Sequence, residues 1–312
     1  TGRTILNTSS APIAPPVSPT AQVTGTVSNA ASTLLTEASV NAQQSLSTLQ
    51  ALDVAWGNVD PGNASYTLTL PLTAPQKASY VAQDGPLNFS ADSVAQWAGC
   101  HLAELLALSP DWDHMPPDNY LKDGGRYRRR RHSSFVFHNE TLTQVPHRAH
   151  WQSLDYNALH GGMERWFEPM QAHTVAAPAW TKLLTAFSHT ASAIRGSTHV
   201  KWCIEAHQFR IDTTDGIGRP TPEGAHRDGV DFVAVFMVNR THIKGGETRV
   251  FEANGPQGER FTLSEPWSLM LLDDTRVIHE STPIQPLAEG GHRDTLVLTC
   301  RADKFQDAEP SA

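Results

Sequence analysis

The sequence is poor in cysteine, and its cysteines do not form any recognisable metal or redox pattern. Cys100, Cys203 and Cys300 are odd in number and widely separated, without the CxxC spacing of a zinc knuckle or a dithiol pair. They are best interpreted as buried thiols of a protein in a reducing compartment. The sequence also lacks GxGxxG, GxxxxGK[ST] and GxSxG, so dinucleotide-binding folds, phosphate loops and α/β-hydrolases are not supported.

Long apolar runs and an excess of positive charge are missing as well. No apolar stretch approaches the roughly 18 residues of a membrane span, and the first residues show no basic-then-apolar signal sequence. We therefore expect a cytoplasmic protein with no membrane partner. The net charge of −8 argues against nucleic acid and favours small metabolites as partners.

The composition divides the 312 residues into four stretches. Residues 1–36 are rich in Ala, Ser, Thr and Pro and carry a single charge, Arg3, which is typical of a flexible tail. We predict that residues 37–117 form a mostly helical segment packed on the core. Residues 118–305 are the predicted core, and residues 306–312 a second tail.

The hydrophobic pattern predicts helices first and strands afterwards. Helical spacing is found within residues 29–56, 90–109, 161–172 and 179–194, and alternation predicts an early strand over residues 66–72. From Val200 onward, short strand-like segments and turns follow one another at regular intervals. This arrangement predicts a mainly β fold with flanking helices, a sandwich or jelly roll.

A run of arginines interrupts this pattern in the stretch DGGRYRRRRHSSFVF, at Arg126 and from Arg128 to Arg131. One interpretation is a solvated or ion-paired sheet edge, since an acidic chain offers many carboxylates. The other is a docking patch for a nucleic acid or protein substrate. The run is isolated and has no interleaved aromatic residues for base stacking, which favours the first interpretation.

The stretch PEGAHRDGVDFVAVF places charged residues at the mouth of an apolar strand. Side chains alternate along an extended chain, so His226 and Asp228 point to one face. His279, in DDTRVIHESTP, ends another strand-like segment. Two histidines and one carboxylate on one face of a metal leave adjacent positions open, as in the non-haem Fe(II) oxygenases. The sequence therefore predicts an iron site at His226, Asp228 and His279.

A second set of residues suits an acidic cosubstrate. In HRDTLVLTC, Arg293 and Thr295 lie on the same strand face. A buried guanidinium can bind a carboxylate with two hydrogen bonds, and a nearby hydroxyl can reach the same group. A dicarboxylate cosubstrate would then lie between the metal and Arg293.

Together these motifs resemble the 2-oxoglutarate/Fe(II) dioxygenases related to bacterial L-isoleucine 4-hydroxylase. The resemblance rests on EAHQFRI, PEGAHRDGVDFV, GGET, DDTRVIHESTPI and GHRDTLVLTC, and covers roughly residues 118–300. It implies a double-stranded β-helix with His226, Asp228 and His279 as iron ligands. It also implies that Arg293 and Thr295 hold 2-oxoglutarate.

The resemblance further implies a reaction. With Fe(II), O2 and 2-oxoglutarate as cofactor and cosubstrates, and ascorbate as reductant, an unactivated C–H bond of a small aliphatic L-amino acid would be hydroxylated, with succinate and CO2 as coproducts. Oxidative ring closure or desaturation of valine or isoleucine in secondary metabolism is the alternative with the same cofactors. A cupin-like metal-binding protein without redox turnover is an alternative of another class, although it has no use for Arg293 and Thr295.

Three residues are candidates for contact with the substrate. Arg210 could anchor a substrate carboxylate or form an ion pair with an acidic residue. His207 could contact the substrate or be a core histidine bonded to a neighbour. Glu223 could meet a substrate ammonium or be an ordinary loop carboxylate. The sequence leaves each of these alternatives open.

Overall fold

The computed structural model describes residues 2–4, 21–26, 65–70, 87–197, 199–253 and 258–308. Within them the chain forms fifteen β-strands, four α-helices and a 3-10 helix. The helices are α1 (Ala91–Ala98), α2 (Leu102–Leu106), the 3-10 helix (Ser109–His114), α3 (Ala172–Ala176) and α4 (Pro178–Arg195). The strands are β1 (Gly2–Thr4), β2 (Ala21–Thr26), β3 (Ser65–Leu70), β4 (Leu87–Phe89), β5 (Arg128–His138), β6 (Thr141–Gln144), β7 (Trp202–Asp212), β8 (Phe232–Thr241), β9 (Ile243–Gly245), β10 (Thr248–Glu252), β11 (Gly258–Phe261), β12 (Ser268–Asp273), β13 (Val277–Ser281), β14 (Ile284–Pro286) and β15 (His292–Ala302).

A large sheet and two small ones make up the β architecture. The large sheet has ten strands in the order β1-β3-β2-β4-β12-β8-β15-β7-β5-β6. Strands β11, β10 and β13 form a small sheet, and β14 pairs with β9. All strand pairs except β1 with β3 are antiparallel. This mostly antiparallel arrangement with few helices confirms the predicted jelly-roll fold.

The central strands are apolar on both faces because the large sheet separates two cores. Along β8, Phe232, Ala234 and Phe236 face the larger core. The intervening residues Val233 and Val235 face a smaller core with residues of β10, β12 and β13. Because side chains alternate along the strand, one face of the sheet packs against the helices and the other face lines an internal space.

Helix α4 covers the outer face of the large sheet. Its first residue is Pro178, whose fixed φ suits the first turn, and Gly196 in left-handed conformation ends it. Between them, Trp180, Leu183, Leu184 and Phe187 are buried in the larger core. The predicted helix at residues 179–194 is confirmed.

The other helix predictions have mixed outcomes. The helix predicted over residues 90–109 begins as expected at N-cap Ser90, but Gly99 ends it in left-handed conformation and α2 follows. The helix predicted over residues 161–172 is wrong, because the backbone of Arg165 exchanges two hydrogen bonds with His150 and holds this segment extended. Only α3 begins where that prediction ended.

Several predictions concern residues that the structure describes only in part. The helix within residues 29–56 and the tail at residues 1–36 lie largely outside the described residues, as does most of the segment 37–117. Gln306, placed in the C-terminal tail by the predicted boundary, is buried and donates to the carbonyls of Asp228 and Gly229. The core therefore extends beyond residue 305.

None of the helices in the described part of the chain has the length and apolar character that crossing a bilayer requires.

Candidate active site

His226, Asp228 and His279 meet at the mouth of the jelly roll. The backbones of His226 and His279 exchange two hydrogen bonds of 3.0 and 2.9 Å, which places the two rings side by side. Nε2 of His279 lies 3.2 Å from Oδ2 of Asp228, and Nε2 of His226 lies 3.6 Å from Oδ1. Their potential ligand atoms all lie within 4.8 Å of one another.

The donor set and its electrostatics fit a divalent cation. Burial alone would raise the pKa of Asp228, but His226 and His279 hold it well below its usual range. Burial alone would lower the pKa of His226, yet Asp228 and Glu223 raise it to about 10. A positive charge is therefore strongly favoured between these groups, and two imidazoles with one carboxylate are ligands that iron accepts.

One imidazole is already oriented for ligation. Nδ1 of His226 lies 3.0 Å from the carbonyl oxygen of Gly224, which can only accept a hydrogen bond. Nδ1 therefore carries a proton, and Nε2, which faces Asp228, is the nitrogen that would bind a metal. A backbone acceptor of this kind fixes tautomer and ring direction in metal sites.

The loop that carries Asp228 is held by Asp274. This buried carboxylate accepts hydrogen bonds from the backbone N–H groups of Asp228, Gly229 and Val230, at 3.0, 2.8 and 3.1 Å. Gly229 has a φ of +78°, and a Cβ there would lie 2.3 Å from the ring of Tyr156. The turn therefore requires glycine at position 229, and it depends on the Asp274 carboxylate as the acceptor for its backbone N–H groups.

We expect Asp274→Asn to loosen this loop. The amide keeps one acceptor but directs an N–H2 group at buried backbone donors, and each unsatisfied buried group costs about 1–3 kcal/mol. The melting temperature should fall by about 4 °C or more, since about 1 kcal/mol corresponds to about 2–4 °C in a domain of this size. Iron affinity should fall with it, measured by metal analysis after dialysis.

The same change at the exposed residue Asp155 is the matched control. Asp155→Asn should alter neither melting temperature nor iron content. Equal behaviour of the two variants would show that Asp274 does not shape the loop.

Arg293 and Thr295 line the same cavity as the His226, Asp228 and His279 group. Both residues are buried on β15. Among the residues that the structure describes, none accepts a hydrogen bond from Nε of Arg293, although this atom is buried. Burial and nearby Arg240 lower the pKa of Arg293 to about 10. A buried cation without a partner is costly, and a carboxylate ligand would supply that partner.

Two arginines of the basic run also line the cavity, which the sequence reasoning missed. Arg128 and Arg130 point inward from β5, whereas Arg129 and Arg131 point outward, as strand alternation requires. Nε of Arg128 lies 2.7 Å from Oδ2 of the buried Asp118. The ion-paired interpretation holds, but Arg128 and Arg130 face the site and not the solvent. Alternation within the run was the available signal.

The three substrate candidates have different environments. Arg210 is on the opposite face of β7 from the cavity, 2.7 Å from Asp294 and 2.8 Å from Asp113, so the ion-pair alternative is correct and a substrate carboxylate is not its partner. His207 and Glu223 both line the cavity. Nδ1 of His207 accepts from Arg130 at 2.8 Å.

Comparison with known proteins decides the family. A family model described as 2OG-Fe dioxygenase matches residues 109–299. The chain belongs to this family. The dioxygenase is therefore an oxidoreductase that uses Fe(II), 2-oxoglutarate and O2, and the alternative of a metal-binding protein without redox turnover is ruled out.

Solved structures agree with this assignment. A bsmA homologue from Methylobium petroleophilum is 50% identical, with a TM-score of 0.73 over 77% of this chain and 97% of that chain. IDO from Bacillus thuringiensis shares 17% identity, with a TM-score of 0.61 over 75% of this chain and 97% of that one. The Fe(II)/α-ketoglutarate-dependent dioxygenase TqaL shares 19% identity, with a TM-score of 0.57 over 76% and 92%. The last two show the fold alone, and among curated proteins none matches the dioxygenase significantly.

Proposed function

We propose that the dioxygenase hydroxylates an unactivated C–H bond of a small aliphatic L-amino acid, with succinate and CO2 as coproducts. His226, Asp228 and His279 would bind Fe(II), and Arg293 with Thr295 would bind 2-oxoglutarate. Iron with 2-oxoglutarate and O2 supplies the oxidising power, and the protein supplies position and surroundings.

One observation carries this proposal: the buried guanidinium of Arg293, whose Nε has no acceptor among the described residues, shares a single cavity with the His226, Asp228 and His279 group. The metal group alone would suit many functions. A fixed cation at a second point of the same cavity selects a cosubstrate with a distal carboxylate, which 2-oxoglutarate has. Thr295, two residues along the same strand face, can donate its hydroxyl proton to that carboxylate.

The cavity walls support a small aliphatic substrate. Val230, Val235, Met270 and Val297 line the cavity beside the polar residues. These side chains exclude water from the reacting C–H bond and pack against an alkyl chain. The motif resemblance to L-isoleucine 4-hydroxylase points to the same substrate class.

Product analysis tests the proposal. The protein is incubated with Fe(II), ascorbate, 2-oxoglutarate and a pool of L-amino acids, while succinate is measured in parallel. A pool member that gains one oxygen, with an equal amount of succinate, is the expected result. Loss of two hydrogens would instead support ring closure or desaturation.

Omission of 2-oxoglutarate, or addition of a chelator, is the control and should abolish both signals. Succinate that does not rise above the level without amino acids would contradict the amino-acid proposal. It would leave the family assignment intact, because that rests on the sequence match.

A further inference from the structure

A second group of buried titratable side chains lies in the same cavity wall as the iron site. His132, His150, Glu205 and His207 have potential ligand atoms within 4.8 Å of one another, and all four are buried. The reaction proposed above does not use them. Three of them, His150, Glu205 and His207, line the cavity.

Glu205 is held by two imidazoles and keeps one oxygen open. Nε2 of His132 and Nδ1 of His150 lie 2.9 and 3.0 Å from the same atom, Oε1 of Glu205. Burial lowers the pKa of His150 to about 4, and the two histidines hold the pKa of Glu205 well below its usual range despite burial. At neutral pH the carboxylate is thus ionised and both rings are neutral donors. No group of the described chain donates to Oε2.

A second charged side chain, Arg165, lines the same cavity, and it forms no salt bridge with any of the residues that the structure describes. Arg165 is 2% exposed, its Nε has no partner among the described residues, and its Nη2 donates to Oε1 of Gln152 at 3.1 Å. The backbones of Arg165 and His150 exchange two hydrogen bonds, so their side chains project from the same face of the two paired segments. His150 in turn contacts Glu205, so the guanidinium and the open carboxylate oxygen belong to one cavity wall, where the charge of Glu205 favours the charged form of Arg165.

Gln152 connects this pair to the iron site. Its Nε2 lies 3.3 Å from Oδ1 of Asp228, and its Oε1 accepts from Arg165. One amide side chain therefore separates the guanidinium from the carboxylate that would bind iron. A ligand bound to Arg165 and Glu205 is within reach of the metal.

We propose that Glu205, held by His132 and His150, receives the ammonium group of the substrate, and that Arg165 receives its carboxylate. An α-amino acid carries these two charges on substituents of one carbon atom, and the site offers the two complementary charges in one cavity. The inference rests on the proposed function and specifies how its substrate is held. Gln152 fixes the carboxylate end of the substrate relative to iron.

A second metal ion is a poorer occupant of the histidine group. Nη2 of Arg130 lies 2.8 Å from Nδ1 of His207, and because a guanidinium only donates, His207 carries its own proton on Nε2 and offers no lone pair to a metal. Arg130 and Arg165 would also repel a divalent ion. Metal analysis giving two ions per chain, one of them lost in Glu205→Gln, would overturn the ammonium assignment.

Binding without turnover tests the assignment. The probes are L-isoleucine, 3-methylpentanoate, which lacks the amino group, and 2-methylbutylamine, which lacks the carboxylate. They are titrated calorimetrically into the Fe(II)- and 2-oxoglutarate-loaded protein without oxygen. Glu205→Gln should weaken the binding of L-isoleucine about 30-fold or more, because a buried charge partner is lost. It should leave the affinity for 3-methylpentanoate unchanged.

Arg165→Gln gives the complementary result. It should weaken the binding of L-isoleucine to a similar degree and leave the affinity for 2-methylbutylamine unchanged. Glu164→Gln is the control, because it makes the same Glu-to-Gln change as Glu205→Gln at the exposed neighbour of Arg165. It should alter neither affinity. Circular dichroism and unchanged 2-oxoglutarate binding establish that each variant is folded.

The binding experiment distinguishes an incorrect ammonium assignment from an incorrect proposed function. If the wild-type protein binds L-isoleucine but Glu205→Gln binds it equally well, the ammonium assignment is wrong and the proposed function stands. A larger loss in Glu223→Gln would move the ammonium site to Glu223, with the same consequence. If no amino acid of the pool binds the wild-type protein, the proposed function fails and the assignment with it.

Discussion

His279→Ala is expected to abolish both iron binding and succinate formation. The substitution leaves Asp228 and His226 as the remaining donors and removes the imidazole whose Nε2 lies 3.2 Å from Oδ2 of Asp228. Loss of a direct ligand should weaken iron by more than about 100-fold, since removing even an outer partner of a ligand costs about 10- to 100-fold. Iron content after dialysis, and succinate formed with added Fe(II), measure the two effects.

The matched control is His138→Ala, at an exposed histidine near the end of β5. It should retain full iron content and activity. A folded His279→Ala variant that still binds one iron per chain and forms succinate would remove His279 from the metal site. Loss of activity with full iron content would assign it another role.

The local patterns that predicted the site are those in which the residue spacing follows one extended segment of the chain. The HxD pair at His226 and Asp228 and the pair Arg293 and Thr295 each use the two-residue period of an extended chain, so their common direction follows from sequence. The structure brings these pairs, with His279, to one cavity. Sheet topology determines that the segments carrying them face one another. The family resemblance predicted this topology, whereas residue periodicity did not.

The residues that sequence reasoning missed depend on contacts between distant segments. Arg165 belongs to residues 161–172, which were predicted to be helical from their hydrophobic spacing, and Gln152 lies before them in a stretch without a predicted element. The segment is extended because His150 and Arg165 pair their backbones, an interaction that no local pattern encodes. Strand alternation places Glu205 on the same face as His207, but the partners of Glu205 lie on β5 and on the segment before α3.

At Arg210 the residue type suggested a contact with the substrate, but its position on the strand excludes that contact. It lies between two cavity-facing residues of β7 and therefore projects to the other side of the sheet. There it meets Asp294, its register partner on β15. Alternation from His207 predicts this direction, so strand position decides between the two alternatives that the residue type left open.

Arg293→Ala is expected to raise the 2-oxoglutarate requirement far more than the amino-acid requirement. Truncation removes a buried cation with no other partner among the described side chains, so the loss falls on the ligand that would pair with it. A buried charge partner is worth about 2–4 kcal/mol, which is about 30- to 1,000-fold in the KM for 2-oxoglutarate. Arg293→Lys should recover part of this loss, since it restores charge but not two-point contact. Arg126→Ala, at a largely exposed arginine, should change neither KM.

A cosubstrate without the distal carboxylate isolates the interaction. If Arg293 binds that carboxylate, wild type and Arg293→Ala should bind 2-oxovalerate equally weakly, and the large difference seen with 2-oxoglutarate should vanish, as in a double-mutant cycle. If the variant instead loses the same factor with both keto acids, the side chain acts through the shape or folding of the cavity. Equal rises in the KM values for 2-oxoglutarate and the amino acid would place Arg293 between the two ligands and not at the far end of one.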